Sequence, residues 1–133
     1  MKSTNYVNTF ILASSDSTAK HGIVPEKAGT IAAIQHRLMH DKPYGLTSDD
    51  VLFLTHAERA QIPRSEWKQA RLEFFSKPKA CLRCSPLVKQ FGWGLHHDDK
   101  GRVALYGVET PAYRQFTKKP DVKTVNGMRS SRV

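Results

Sequence analysis

The chain has 133 residues, 39% hydrophobic and 25% charged, the composition of a soluble globular protein long enough to bury a core of its own. No run approaches the ~20 apolar residues that a membrane-spanning helix needs, and two cysteines are too few for a disulfide framework, so the expected setting is the cytoplasm, with no membrane partner. The formal charge of +9 falls entirely in residues 61–133, because residues 1–60 balance six Lys/Arg against six Asp/Glu, and such asymmetry suits an anionic ligand, an acidic partner or nucleic acid.

Taken in order, YVNTFILA (6–13) is rich in β-branched and aromatic residues and predicts a first strand. A loop with turn formers and a proline follows. From Thr30 the period changes: Thr30 can cap, and Ile31, Ile34 and Leu38 make a helical stripe that Pro43 and Gly45 end. TSDD (47–50) has the form of a capping box, with Asp50 standing in for the usual Glu, and predicts that 48–60 is helical although VLFLT alone would suit a buried strand. Ser65 opens another helix, with Trp67, Ala70 and Phe74 on one side and Pro78 as its stop.

The second half turns back to strands. Ser85 and Pro86 are the cap and first residue of a short helix, PLVKQF. Residues 92–108 read as a β-hairpin around Asp98-Asp99-Lys100-Gly101, a type I turn with glycine in the left-handed position. Thr110 and Pro111 open a further short helix, VKTVNGM (122–128) suggests a last strand, and RSSRV (129–133) is expected to fray. The predicted architecture is a single α+β domain over 1–133, an antiparallel sheet with helices packed on one face.

The segments TSDDVLF, CLRCSPL, GWGLH and ALYGVE, in that order, resemble a family of small bacterial proteins of unknown function. The resemblance runs from about Asn5 to Arg129 and implies one domain without supplying a substrate. It places Arg83, Ser85, Pro86, Trp93, His96 and Tyr106 within the family's pattern.

The chemistry-bearing motifs are then weighed on their own residues. Cys81 and Cys84 have zinc-knuckle spacing, but a structural zinc needs four ligands, and His96 and His97, adjacent in a strand, point to opposite faces. No metal and no cofactor is expected. A thioredoxin-like pair would need a helix starting at its first cysteine, whereas here the helix starts after the second, so the thiols read as small buried hydrophobes. His36 and His40 share a helix face opposite the apolar stripe and read as a solvent-exposed pair, without the Glu of a metalloprotease motif.

The leading candidate is the 83–106 stretch. Ser85 capping a helix leaves amides free for an anion, with Arg83 before it and Lys89 one turn on. On the hairpin, Trp93, Leu95, Val103 and Leu105 face the core, while Gly94, His96, Ala104 and Tyr106 face the other way, with room for a ring or ligand above Gly94. A groove of Arg83, Ser85, Lys89, His96 and Tyr106 would make a binding module for a small anionic ligand or acidic partner. The alternative is a small enzyme with His96 as general acid or base and Tyr106 as hydrogen-bond donor. A third, weaker reading is nucleic-acid binding, since helices 48–60 and 65–76 joined by QIPRS outline a helix-turn-helix with Lys68 and Arg71 on the second.

Overall fold

The computed structural model describes residues 3–130. Its elements are β1 (Thr9–Leu12), α1 (Ile31–Asp41), α2 (Ser48–Arg59), α3 (Trp67–Phe74), α4 (Pro86–Lys89), β2 (Trp93–His97), β3 (Val103–Gly107), α5 (Pro111–Phe116) and β4 (Lys123–Asn126). Short 3₁₀ turns, Arg64–Glu66 and Leu82–Cys84, precede α3 and α4. The fold is α+β, as the pattern predicts, with strand order β3-β2-β1-β4.

Two expectations about the sheet need correction. β4 pairs with β1 in parallel, Thr9 opposite Lys123 and Leu12 opposite Asn126, so the sheet is mixed and mostly antiparallel. The chain crosses over through α5 before returning to the edge beside β1, which is what a parallel partner requires. The helices also do not share one face. Alternation along the strands sends Ile11, Leu95 and Val103 to one side, where Ala32 and Met39 of α1, Val51 of α2 and Leu87 and Val88 of α4 close the core. It sends Phe10 and His96 to the other, where Tyr113 and Phe116 of α5 cover them.

The capping box at α2 forms in full: Thr47 Oγ1 accepts from the Asp50 amide at 3.2 Å, and Asp50 Oδ2 accepts from the Thr47 amide at 3.0 Å. That settles 48–59 as helix, because a strand would leave those donors without partners. The hairpin turn also forms as expected. Asp98 Oδ1 accepts from the Lys100 and Arg102 amides, and Gly101 takes the left-handed φ of 78°.

The helix from Thr30 buries Ala32, Ile34, Gln35, His36 and Met39, whereas Ile31 of the expected stripe is 37% exposed. α1 is packed by α2, α4 and β3 together, so its covered arc is wider than the stripe and takes in His36. The exposed-pair reading of His36 is therefore wrong: His36 is buried between Trp93 and His40, its ring centroid 5.2 and 5.1 Å from theirs. α3 buries no residue fully; Trp67, Ala70 and Phe74 pack on Phe53, Ala57 and Phe75 as an outlying cluster rather than inside the main core. At the far end, the Met128 amide bonds Arg83 O and the Ser130 amide bonds Asp16 Oδ2, so the start of the expected frayed tail is tied down. The rest of that tail, 131–133, lies outside the described residues. No helix among the described residues is long and apolar enough to cross a membrane.

Candidate functional site

The residues expected to share one groove are divided by the sheet. Ser85 is buried on the Leu95 side, where its hydroxyl donates to Gln35 Oε1 at 2.7 Å while accepting the Leu87 amide at 3.2 Å. Both capacities are used internally, and α4 is a single turn, so no free anion cradle remains at Pro86. Arg83 donates from Nε to the Asn126 carbonyl at 2.7 Å, bridging the 3₁₀ turn to β4. The Lys89 carbonyl accepts from the Ser130 hydroxyl at 3.5 Å, beside the C-terminal segment.

His96 and Tyr106 lie across the sheet from these three, and the structure brings those two together through a residue that the sequence reading missed. Tyr44 places its hydroxyl 2.9 Å from His96 Nδ1 and 2.8 Å from the Tyr106 hydroxyl. Its backbone adopts a left-handed φ of 59°, a conformation that costs a side-chain-bearing residue about 1–2 kcal/mol. Its amide bonds Val103 O at 3.0 Å, which holds the turn against the edge of β3. The only forecasting signal was Pro43-Tyr44-Gly45, which marks a turn and does not say what the ring reaches.

Burial holds the Tyr44 phenol well above its ordinary pKa, with the Tyr106 hydrogen bond adding to it, and burial holds the His96 imidazole below its own. Both shifts favour the uncharged forms of Tyr44 and His96 at neutral pH, within a hydrogen-bonded chain that Tyr106 completes. Phe116 lies flat on the His96 ring at 4.1 Å and 20°, taking the place where a substrate would stack. The space above Gly94 is filled as well: a Cβ there would stand 2.6 Å from both Phe10 Cζ and Tyr113 Cε2. The geometry of this face is that of a closed polar cluster under an aromatic lid.

A cavity of about 190 Å³ touches Tyr106 and Ala104 at the sheet edge, and larger ones lie between α1, the end of α2 and the corner that precedes α4. One cavity of about 470 Å³ is lined by residues that include Ile31, Gln35, Leu52, His56, Arg59 and Phe74. A neighbour of about 400 Å³ shares Ile31 and Arg59 and reaches Lys27, Thr30, Ala32 and Pro86. A third of about 260 Å³ shares Ile31, Gln35 and Leu52 and contains Cys81 and Cys84. Arg59 makes no ion pair among the described residues, although Glu58, before it in the chain, is paired with Arg37. The N-terminus of α1 opens into the second cavity; Thr30 Oγ1 takes the Ala33 amide, and no acidic side chain occupies the first turn. His56 stacks on Phe74 at 4.7 Å.

The helix-turn-helix outline has a different use. Arg71 is held by Asp50 at 2.9 Å and lies over the rings of Phe53 and Phe75, at 5.7 and 5.6 Å. It ties α3 to α2 and is not free for a phosphate. Among the described residues no three His, Cys, Asp or Glu side chains converge as a metal site would require.

The family of unknown function DUF6157 has a model that matches residues 1–133, and the chain belongs to that family. No curated protein and no solved structure matches it.

Proposed function

We propose that this chain is a binding module for a small ligand that joins an anionic group to an apolar body, held in the groove between α1, the end of α2 and the 80–86 corner. The anionic specificity is that expected from the basic sequence, moved from the single-turn α4 to the eleven-residue α1.

One observation carries the reading. Arg59 lines two adjoining cavities and has no carboxylate partner among the described residues. A guanidinium in that position offers paired donors to a carboxylate or phosphate. The amides and dipole at the start of α1 add to the same potential, as does Lys27, while Glu26 on the rim sets a limit on how much negative charge the site accepts. Ile31, Leu52 and Phe74 supply apolar floor for the remainder of the ligand, as binding pockets commonly do.

The test is a thermal-shift series on the purified chain with acetate, butyrate, hexanoate and inorganic phosphate, repeated with Arg59→Ala. Stabilisation that rises from acetate to hexanoate and is lost in the variant supports both halves of the site, since a ligand that binds only the native state raises Tm by mass action. Equal shifts in wild type and variant, or none with any anion, would remove the proposal.

A further inference from the structure

The two cysteines, which the sequence reading treats as inert, meet three conditions for chemistry. The Cys84 amide bonds the Cys81 carbonyl at 3.0 Å, closing the 3₁₀ turn Leu82–Cys84. A turn of this kind brings its first and fourth Cα atoms within about 7 Å. Disulfides need a Cα separation of about 4.4–6.8 Å, a range that lies within the reach of such a turn.

Both thiols are free, both are half-buried, and both line the same 260 Å³ recess. A small reagent can therefore reach the pair. Finally, Cys81 is distinguished from Cys84 by a polar neighbour: its sulfur is 3.1 Å from the Tyr6 hydroxyl. Burial, and then the Cys81 hydrogen bond, push that phenol up to about 12, so Tyr6 keeps its proton and is available as a donor to the sulfur. The Arg83 guanidinium acts on the same phenol in the opposite sense and is itself fixed to Asn126.

We propose that Cys81 and Cys84 form a redox-active dithiol, with Cys81 as the attacking thiol and Cys84 as the resolving one, whose oxidant is a low-molecular-weight disulfide. The sulfur of Cys81, as thiolate, attacks one sulfur of the reagent; the reagent's S–S bond breaks and one thiolate leaves. Cys84 gives its proton to solvent and attacks the Cys81 sulfur of the mixed disulfide, expelling the second thiolate. The protein loses two electrons and two protons, and the reagent is reduced to two thiols. The helix dipole has no part in it, because α4 begins two residues after Cys84 and has a single turn. The inference is independent of whether Arg59 binds an anion.

The experiment uses the reduced, folded chain in buffers of oxidised and reduced glutathione, quenched with acid and read by intact mass, with circular dichroism to confirm folding. The expected product is the unmodified chain lighter by two hydrogens. In Cys84→Ser a single glutathione adduct should accumulate instead, and in Cys81→Ser adduct formation should slow by about tenfold or more. Tyr6→Phe should slow the reaction of Cys81 with iodoacetamide by about tenfold while leaving that of Cys84 unchanged, a difference that a merely structural tyrosine would not produce. Two thiols surviving in folded wild type, or adducts on both cysteines without ring closure, would overturn the dithiol. Equal rates for the two single variants would overturn the assignment of Cys81 as attacker.

Discussion

The Tyr44 hydroxyl joins His96 to Tyr106, 2.9 Å from one and 2.8 Å from the other, from a turn 52 and 62 positions earlier in the chain. This contact fastens the α1–α2 connection to the hairpin face that α5 covers. It also makes the arrangement of His96 and Tyr106 dependent on a third residue.

Replacing Tyr44 by Phe keeps the ring and removes both hydrogen bonds. Each leaves a half-buried partner short, and the combined loss should be about 1–3 kcal/mol. Urea denaturation reads it as a lower midpoint with an unchanged slope. The His96 ring, followed by NMR through a pH titration, should shift its resonances as Nδ1 loses its partner. A variant as stable as wild type would mean that the chain of hydroxyls contributes nothing net.

Asp49 fastens the N-terminal segment to the start of α2. Its Oδ1 accepts from the Thr4 amide and hydroxyl, both at 2.7 Å, and its Oδ2 accepts from the Ser3 hydroxyl at 2.9 Å. In return, the Asn5 side chain accepts the Asp49 amide. Asp49→Ala strands buried donors and should cost about 2–3 kcal/mol. Limited proteolysis should then cut ahead of β1 in the variant and spare the wild type.

Gly94 leaves no room for a side chain between the sheet and α5. Its mutation to Ala would push a methyl group into Phe10 and Tyr113, each 2.6 Å from the new carbon, and so loosen the bond of the Tyr113 hydroxyl to the Ala13 amide. Overpacking of that size costs about 1–3 kcal/mol. The loss should appear in the denaturation midpoint and in near-ultraviolet circular dichroism of the tyrosines.

His97 is fully buried beside Tyr6, and neither ring nitrogen has a hydrogen-bond partner among the described residues. Thr9 and Leu95 backbone groups lie near enough to favour the charged form slightly, but burial dominates and takes the ring down to about 4 from an ordinary 6.5. A lowered histidine pKa means that the unfolded chain binds the proton more readily. Stability should therefore fall as the pH drops from about 6.5 towards 4, with about 3 kcal/mol from His97. His36 and His96, also lowered by burial, add to the same limb. His97→Leu should flatten that acid limb and leave stability at pH 7 equal or higher, because it removes unpartnered buried nitrogens. Denaturation midpoints at pH 7, 6, 5 and 4.5 decide; parallel curves for wild type and variant would contradict the account.

Local sequence chemistry determined what local chemistry can: the capping box at Thr47–Asp50, the caps of Thr30, Ser85 and Thr110, the hairpin turn at Asp98–Gly101, and the opposed faces of His96 and His97. Each of these depends on groups within a few residues of one another, whose geometry the backbone fixes by itself. Tertiary structure alone decided that β4 would lie parallel to β1, that α5 would close the second face over His96 while Ser85 lay across the sheet from it, that Tyr44 would reach His96 and Tyr106, and that Arg59 would line a cavity. Which residue meets which across the sheet depends on the path of the chain between strands, and the intervening loop sequences carry no periodicity that encodes it. Cys81 shows the same division: its spacing from Cys84 is written in the sequence, while its contact with Tyr6, 75 positions away, is made only by the fold.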